Sequence, residues 1–212
     1  MYILSKALIF PPVKLADDNG LLALGGDLSA ERLQLAYRSG IFPWYNEGAP
    51  ICWYSPKRRM VLFPEKLRIS KSMRKILRNN DFRLSFNQDF AAVISECKAI
   101  RRKGQSGTWI TTEMQAAYEQ LHELGIAKSV EVWKGDALVG GLYGIDLGTV
   151  FCGESMFSKV SNASKVGFIC WVQQLAQEGY TLIDCQVYND HLASLGAEEI
   201  SQDLFLSYLP NP

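Results

Sequence analysis

The stretch from residue 128 to residue 187, KSVEVWKGDALVGGLYGIDLGTVFCGESMFSKVSNASKVGFICWVQQLAQEGYTLIDCQV, decides the fold. Alternating apolar residues separated by Gly-containing turns predict strands over 128–133, 138–145 and 149–154. Apolar residues at helical spacing predict a helix over 163–178, and the apolar run over 181–187 predicts another strand. Three strands, a helix and a further strand predict a mixed sheet with helices on both faces.

The flanking segments add helices and a second, smaller unit. Helical patterns at 70–79, 87–98 and 111–124 precede the strands, and shorter strands are predicted at 60–63 and 82–86. Residues 1–60 are rich in Gly, Pro and aromatics, with a short helix after Asp27 that Ser29 can cap. The predicted class is α+β, with a small N-terminal domain over 1–60. By analogy of element order, an acetyltransferase-like (GNAT) domain covers 61–212.

The composition argues against several classes of protein. The 212 residues hold 22 basic and 22 acidic side chains, so a nucleic acid would have to bind a local basic patch. No apolar run approaches the roughly 20 residues that span a bilayer. The N-terminal apolar segment is read as a strand or a buried arm. Five scattered cysteines and two histidines favour reduced thiols in a cytoplasmic protein without a zinc site.

One predicted helix carries four cations on a single face. Lys71, Arg74, Lys75 and Arg78 follow helical spacing, while apolar residues occupy the opposite face. Stacked like charges favour a phosphate partner, although an ordinary solvated face is the alternative. The basic segment 101–103 is a possible second contact.

Two acidic motifs could carry chemistry. In the strand over 181–187, alternation places Asp184 and Gln186 on one face, where the half-buried carboxylate needs a partner or a function. It could accept a proton from an attacking amine, or the two residues could form a satisfied polar pair. Glu154, predicted at the end of the strand over 149–154, could bind an amine or be a surface acid.

A missing feature argues against coenzyme A. Acyl-CoA-using proteins of the acetyltransferase-like fold carry a Gly-rich turn whose backbone N–H groups hold the pyrophosphate. The matching stretch, 158–165, contains no glycine.

Several motifs in order resemble one family, the bacterial leucyl/phenylalanyl-tRNA–protein transferases. The motifs are NGLLALGGDL (19–28), GIFPW (40–44), WYSP (53–56), GTWI (107–110), FCGESMFS (151–158), IDCQV (183–187), NDH (189–191) and SLGA (194–197). The resemblance implies transfer of Leu or Phe from aminoacyl-tRNA to proteins that begin with Arg or Lys, which marks them for degradation by the N-end rule. It also implies that no metal, coenzyme A or other cofactor is needed.

The resemblance further implies site residues. Asp184 and Gln186 match the catalytic pair, and Glu154 matches an active-site carboxylate. Trp44 and Trp109 match aromatics that stack on the 3′ adenosine of the tRNA. The residues that match the apolar pocket for the donor side chain are Leu142, Phe151, Met156, Trp171 and Ile183. Asn189 matches a further substrate-binding position, and the basic helix would hold the tRNA acceptor stem.

Two rival interpretations stay open from the sequence. One is a coenzyme A-dependent N-acyltransferase on the same fold. The other is a non-catalytic tRNA-binding module in which the basic helix supplies the whole function.

Overall fold

The computed structural model describes residues 2–100 and 108–210. The strands are β1 Tyr2–Leu4, β2 Leu21–Gly25, β3 Phe42–Pro43, β4 Cys52–Tyr54, β5 Arg58–Leu62, β6 Arg83–Phe86, β7 Ala127–Lys134, β8 Ala137–Asp146, β9 Val150–Ser158, β10 Leu182–Gln186 and β11 Glu198–Ser201. The helices are α1 Ala30–Arg38, α2 Lys71–Asn79, α3 Phe90–Ala99, α4 Thr112–Glu123, α5 Ala163–Gln177, α6 Asp190–Ser194 and α7 Gln202–Leu206. The predicted basic contact at 101–103 lies outside the described residues.

Two sheets organise these elements. A four-stranded sheet has the order β1-β2-β4-β3, and a seven-stranded sheet has the order β11-β5-β10-β9-β8-β7-β6. In the larger sheet β10 runs parallel to β9, and the other neighbouring pairs are antiparallel. The chain order β7-β8-β9-α5-β10 is the predicted one, so the predicted mixed α/β fold is confirmed.

The larger sheet separates two hydrophobic cores. Along β10, Leu182 belongs to a core shared with α1, α3 and α4, whereas Ile183 belongs to a core shared with α2 and α5. Successive strand residues point to opposite faces, so helices cover both sides of the sheet, as predicted. The small sheet contributes Leu22 and Trp53 to the first core, which therefore joins the two parts of the chain.

The division of the chain at residue 60 stays a prediction. Residue 60 lies within β5, and β5 pairs only with strands of the larger sheet. The change from one sheet to the other therefore occurs between Tyr54 and Arg58.

Local capping explains where the helices begin. The side chains of Ser29, Ser70, Asp89 and Thr111 each accept a hydrogen bond from a backbone N–H in the first turn of the helix that follows. The start predicted at Ser70 is therefore confirmed. The helix predicted over 111–124 ends one residue earlier, at Glu123, and Leu124 is its largely exposed C-cap.

One predicted strand is much longer in the structure. The sequence pattern ends the strand at residue 154, but β9 continues to Ser158 because its pairing with β8 extends to that residue. Glu154 therefore lies in the middle of a strand, and its predicted place at a strand end is wrong. The N-terminal segment forms β1 as predicted, but Ile3 is exposed, so it is no buried arm.

A glycine permits an irregularity between β8 and β9. The register shifts between Tyr143 and Gly144, and a Cβ at Gly144 would overlap the carbonyl oxygen of Cys152 and the ring of Phe151. Because one obstacle is backbone, a side chain here cannot be accommodated by a rotamer change.

We expect Gly144→Ala to lower the free energy of unfolding by about 1–3 kcal/mol, the usual cost of overpacking. The matched control is Gly153→Ala in β9, where an added Cβ meets only the carbonyl oxygen of Asp184 at an ordinary 3.5 Å. Urea unfolding followed by circular dichroism measures both. Equal midpoints for the two variants would show that the close approach at Gly144 has no energetic weight.

Candidate active site

The site forms where two parallel strands separate. β9 and β10 pair at three positions, the last of which joins Cys152 to Asp184. Beyond that pair β9 continues to Ser158, while β10 forms a bulge at which Gln186 adopts a φ of 63°. A non-glycine residue rarely adopts such a backbone conformation, and a bulge of this kind redirects a side chain. The gap between the strands is therefore bridged by side chains.

A cavity of about 480 Å³ occupies this gap. Its walls include most of the residues implied as substrate-binding or catalytic. These are Trp44, Trp109, Leu142, Phe151, Glu154, Met156, Ile183, Asp184, Gln186 and Asn189. Residues from the small sheet, from β8–β10 and from α6 thus meet around one space.

The cavity lining has an apolar part and a polar part. Leu142, Phe151 and Ile183 are buried members of the second core that also border the cavity. Glu154 and Gln186 border the same cavity and are joined by a hydrogen bond of 2.7 Å. One cavity could therefore take up both an apolar side chain and a polar reacting group.

Trp171 lies behind the cavity rather than in its wall. Its ring makes an edge contact with Phe151 at 5.4 Å and stacks on Phe86 at 5.5 Å. It is buried in the second core and is absent from the cavity lining. Trp171 therefore contacts the cavity wall through Phe151.

Asp184 is fully buried, at 0% exposure, rather than half-buried as the strand pattern suggested. Its partner is Arg59 of β5, whose Nε and Nη2 donate to the two carboxylate oxygens at 2.8 and 2.6 Å. The backbone N–H of Gln186 donates to Asp184 Oδ1 at 2.9 Å. Both carboxylate oxygens are therefore engaged, and Asp184 and Gln186 both border the cavity although the bulge lies between them.

Arg59 was missed by the sequence reasoning. Its guanidinium lies between the rings of Phe42 and Phe205, at 4.7 and 4.5 Å from their centroids, and Nη1 donates to the carbonyl of Gly40. Arg59 is 1% exposed. An arginine beside a predicted strand was the available signal, but its partner is 125 residues away in sequence.

Glu154 is the ionisable group best placed to exchange a proton in the cavity. Tyr118 donates to its Oε2 at 2.9 Å and Gln186 Nε2 donates to its Oε1. Desolvation raises the pKa of Glu154 to about 7, although hydrogen bonds from Tyr37, Tyr118 and Gln186 act to lower it. A carboxyl with such a pKa can both take and release a proton near neutral pH.

Aromatic and cationic surfaces lie outside the polar centre. Trp44 borders the cavity and is 42% exposed, and Trp109 borders it with partial exposure. On α2, Met73 is buried in the second core, and the four cations at 71, 74, 75 and 78 are exposed. Within the described ranges, none of these cations forms an ion pair with an acidic group.

The described residues contain neither a metal-binding cluster nor a membrane-spanning helix. Within residues 2–100 and 108–210, no group of three or more His, Cys, Asp or Glu side chains is arranged to hold a metal ion. In the same ranges no helix has the length and apolar character needed to cross a bilayer.

Two family models match this sequence. The model for "Leucyl/phenylalanyl-tRNA protein transferase" matches residues 61–210, and that family's N-terminal domain model matches residues 26–57. This chain belongs to the leucyl/phenylalanyl-tRNA protein transferase family. The matched regions contain the cavity-lining residues named above, and Arg59 lies in the short gap between the two regions.

Full-length relatives of the same name support the family membership. The Flavobacterium johnsoniae transferase is 63% identical over 99% of both chains. The Christiangramia forsetii transferase is 59% identical over 99% of this chain and all of the relative, and that of Ectopseudomonas mendocina is 57% identical over 94% of this chain and 89% of the relative.

A solved structure shares the fold of this transferase family member. The crystal structure of FemX has a TM-score of 0.55 at 10% identity, and the match covers 86% of this chain and 69% of FemX. At that identity the likeness concerns the fold alone.

The buried ion pair yields a stability prediction. We expect Arg59→Met to lower the free energy of unfolding by about 3–5 kcal/mol, because it leaves the Asp184 carboxylate buried without its partner. We expect Arg59→Met combined with Asp184→Asn to be less destabilising than the sum of the two single changes. Chemical denaturation of the four proteins measures the coupling.

The matched control is Lys14→Met, which breaks an ion pair with Asp203 in which both side chains are 73% exposed. Exposed pairs contribute about 0–1 kcal/mol, so this variant should unfold close to the parent protein. Additive effects of Arg59→Met and Asp184→Asn would contradict the proposed coupling.

Proposed function

We propose that this protein transfers leucine or phenylalanine from aminoacyl-tRNA to the N-terminal Arg or Lys of an acceptor protein. The reaction forms a peptide bond and creates a signal for degradation in the cytoplasm, where charged tRNA is available. The observation that carries the proposal is a cavity that is lined both by apolar side chains and by Glu154 and Gln186. Membership of the transferase family supports the same reaction.

The apolar wall suits the donor side chain. Leu142, Phe151, Met156 and Ile183 border the cavity, with Trp171 behind Phe151. Burying a leucine or phenylalanine side chain gains about 1.5–3 kcal/mol, whereas a small side chain gains less and a polar one loses its hydrogen bonds to water. The wall therefore favours long apolar donors.

The two tryptophans suit the nucleoside that carries the donor. Trp44 and Trp109 border the same cavity and remain partly accessible. Stacking between a base and an aromatic ring contributes about 1–3 kcal/mol and depends little on sequence. We assign them to the 3′ adenosine, which is identical in every tRNA.

The polar part of the cavity lining, Glu154 and Gln186, suits the acceptor amine. Gln186 Nε2 is used by Glu154, which leaves the amide oxygen of Gln186 as an acceptor for an amine N–H. Asp184, held by Arg59 and by the N–H of Gln186, acts as a positioning residue in this scheme. Holding the amine close to the ester carbonyl is itself a large source of rate enhancement.

The exposed face of α2 suits the acceptor stem. Its four cations lie on one side of a helix that Met73 anchors to the second core. Contacts of cations with phosphates give affinity without reading sequence. The donor is then chosen mainly by its side chain in the cavity.

A transfer assay tests the proposed reaction. We expect label to pass from Leu-tRNA and Phe-tRNA to a peptide that begins with Arg, and more slowly from Met-tRNA and Val-tRNA. A peptide that begins with Asp is the control acceptor and should gain no label. Acetylation of the Arg peptide from acetyl-CoA, without transfer from tRNA, would instead support an N-acyltransferase.

Charge reversal on α2 tests the assigned tRNA contact. We expect Lys71→Glu, Arg74→Glu, Lys75→Glu and Arg78→Glu together to raise the KM for Leu-tRNA by more than tenfold. They should also flatten the dependence of kcat/KM on salt, since fewer counterions are released on binding. Lys134→Glu, an exposed reversal at the β7–β8 turn, is the control. An unchanged salt slope in the α2 variant would place the tRNA elsewhere.

A further inference from the structure

Two buried tyrosines stand behind Glu154. The hydroxyl of Tyr37, on α1, is hydrogen-bonded to the hydroxyl of Tyr118, on α4, and Tyr118 donates to Glu154 Oε2 at 2.9 Å. Tyr37 and Tyr118 are 1% and 0% exposed, and neither borders the cavity. The two hydroxyls therefore form a hydrogen-bonded chain that ends on the carboxyl bordering the cavity, and Tyr37 also interacts with that carboxyl directly.

The chain defines which way each hydrogen bond runs. Tyr118 uses its proton for Glu154, so its oxygen accepts the proton of Tyr37. Burial raises the pKa of both hydroxyls well above the usual value, which keeps both tyrosines protonated. On its other oxygen Glu154 accepts from Gln186 Nε2. Donors therefore meet both oxygens, and this arrangement favours the carboxylate form.

Rotation of the hydroxyls allows the same chain to accept a protonated Glu154. If Glu154 gains a proton on Oε2, that proton can be donated to the oxygen of Tyr118, which then donates to Tyr37. No heavy atom has to move, because only hydroxyl protons rotate. A carboxyl that changes protonation during each turnover needs such an adjustable partner, since a fixed donor would oppose its protonated form.

We propose that Tyr37 and Tyr118 are positioning residues that hold Glu154 ready to take up the proton of the acceptor amine and return it to the leaving oxygen. This inference rests on the transfer reaction proposed above. It also assigns a part in catalysis to α1, which lies in the chain between β2 and β3 of the small sheet.

The proposed step conserves atoms and charge. The neutral amine nitrogen attacks the ester carbonyl carbon, and the new N–C bond forms as a proton of the amine passes to the carboxylate of Glu154. The bond from that carbon to the ribose oxygen of the tRNA breaks. The leaving oxygen takes the proton from Glu154, which returns to its carboxylate form.

Several titratable or charged groups surround Glu154 and set the background for a pH profile. They are Tyr37 from α1, Tyr118 from α4, Arg59 from β5, Cys152 from β9 and Asp184 from β10. Of these, Tyr37 and Tyr118 are the groups whose hydroxyl can be removed while the ring is kept.

Tyr118→Phe tests the proposal through the pH dependence of kcat for transfer. The rate should rise with pH as Glu154 ionises. Loss of a donor to the carboxylate raises the pKa of Glu154, so this limb should move to higher pH by on the order of one unit. Well below the limb, that shift is about a tenfold loss of rate. Tyr37→Phe should shift the limb in the same direction, and the KM for Leu-tRNA should not change.

Tyr180→Phe is the matched control, because it removes a hydrogen bond of 2.7 Å from a tyrosine to the carboxylate of Asp146, which does not border the cavity. Its pH limb should match that of the parent protein. The same peptide is used throughout, so titration of its own amine contributes equally to every profile.

The outcomes separate this inference from the function on which it rests. A fall in kcat that is equal at every pH, or no change, in folded Tyr118→Phe and Tyr37→Phe would overturn the positioning role while leaving the transfer reaction intact. Thermal melts establish which variants are folded, and either variant alone suffices for the test. Absence of transfer by the parent protein would overturn the proposed function instead.

Discussion

The guanidinium of Arg59 and the carboxylate of Asp184 lie fully buried against each other, with two hydrogen bonds between them. Burying two charges is costly unless the geometry is good and the remaining donors are satisfied. Here the rings of Phe42 and Phe205 and the carbonyl of Gly40 complete the surroundings of the cation. The pair therefore joins β5 and β10 to the small sheet and to the C-terminal helix α7.

The shape of the cavity follows from the same pair. With its carboxylate fixed, Asp184 also accepts the N–H of Gln186 and so stabilises the bulge that takes β10 away from β9. Glu154 and Gln186 are then joined across the gap by a hydrogen bond. Their surroundings exclude much of the solvent, which strengthens electrostatic interactions with a reacting group.

Affinity and chemistry fall on different parts of the molecule. The cations of α2 and the exposed face of Trp44 are accessible surfaces, whereas Glu154 is only partly exposed and its tyrosine partners are buried. Charge on the surface attracts phosphate over some distance and is weakened by salt. The buried hydrogen bonds act only at contact and are screened little. A substrate that combines a polyanion with a small apolar group is suited to both parts.

Local sequence patterns were sufficient to predict much of the secondary structure of this protein. Periodicity predicted the strand–helix order and the basic face of α2, and capping placed the start of that helix at Ser70. The tertiary structure decided the extent of β9, the bulge at Gln186, the partner of Asp184 and the tyrosine pair. The physical reason is distance along the chain: 125 residues separate Arg59 from Asp184, and 81 separate Tyr37 from Tyr118. Propensity and period act over a few neighbours, whereas these contacts exist only once the sheet and helices have packed.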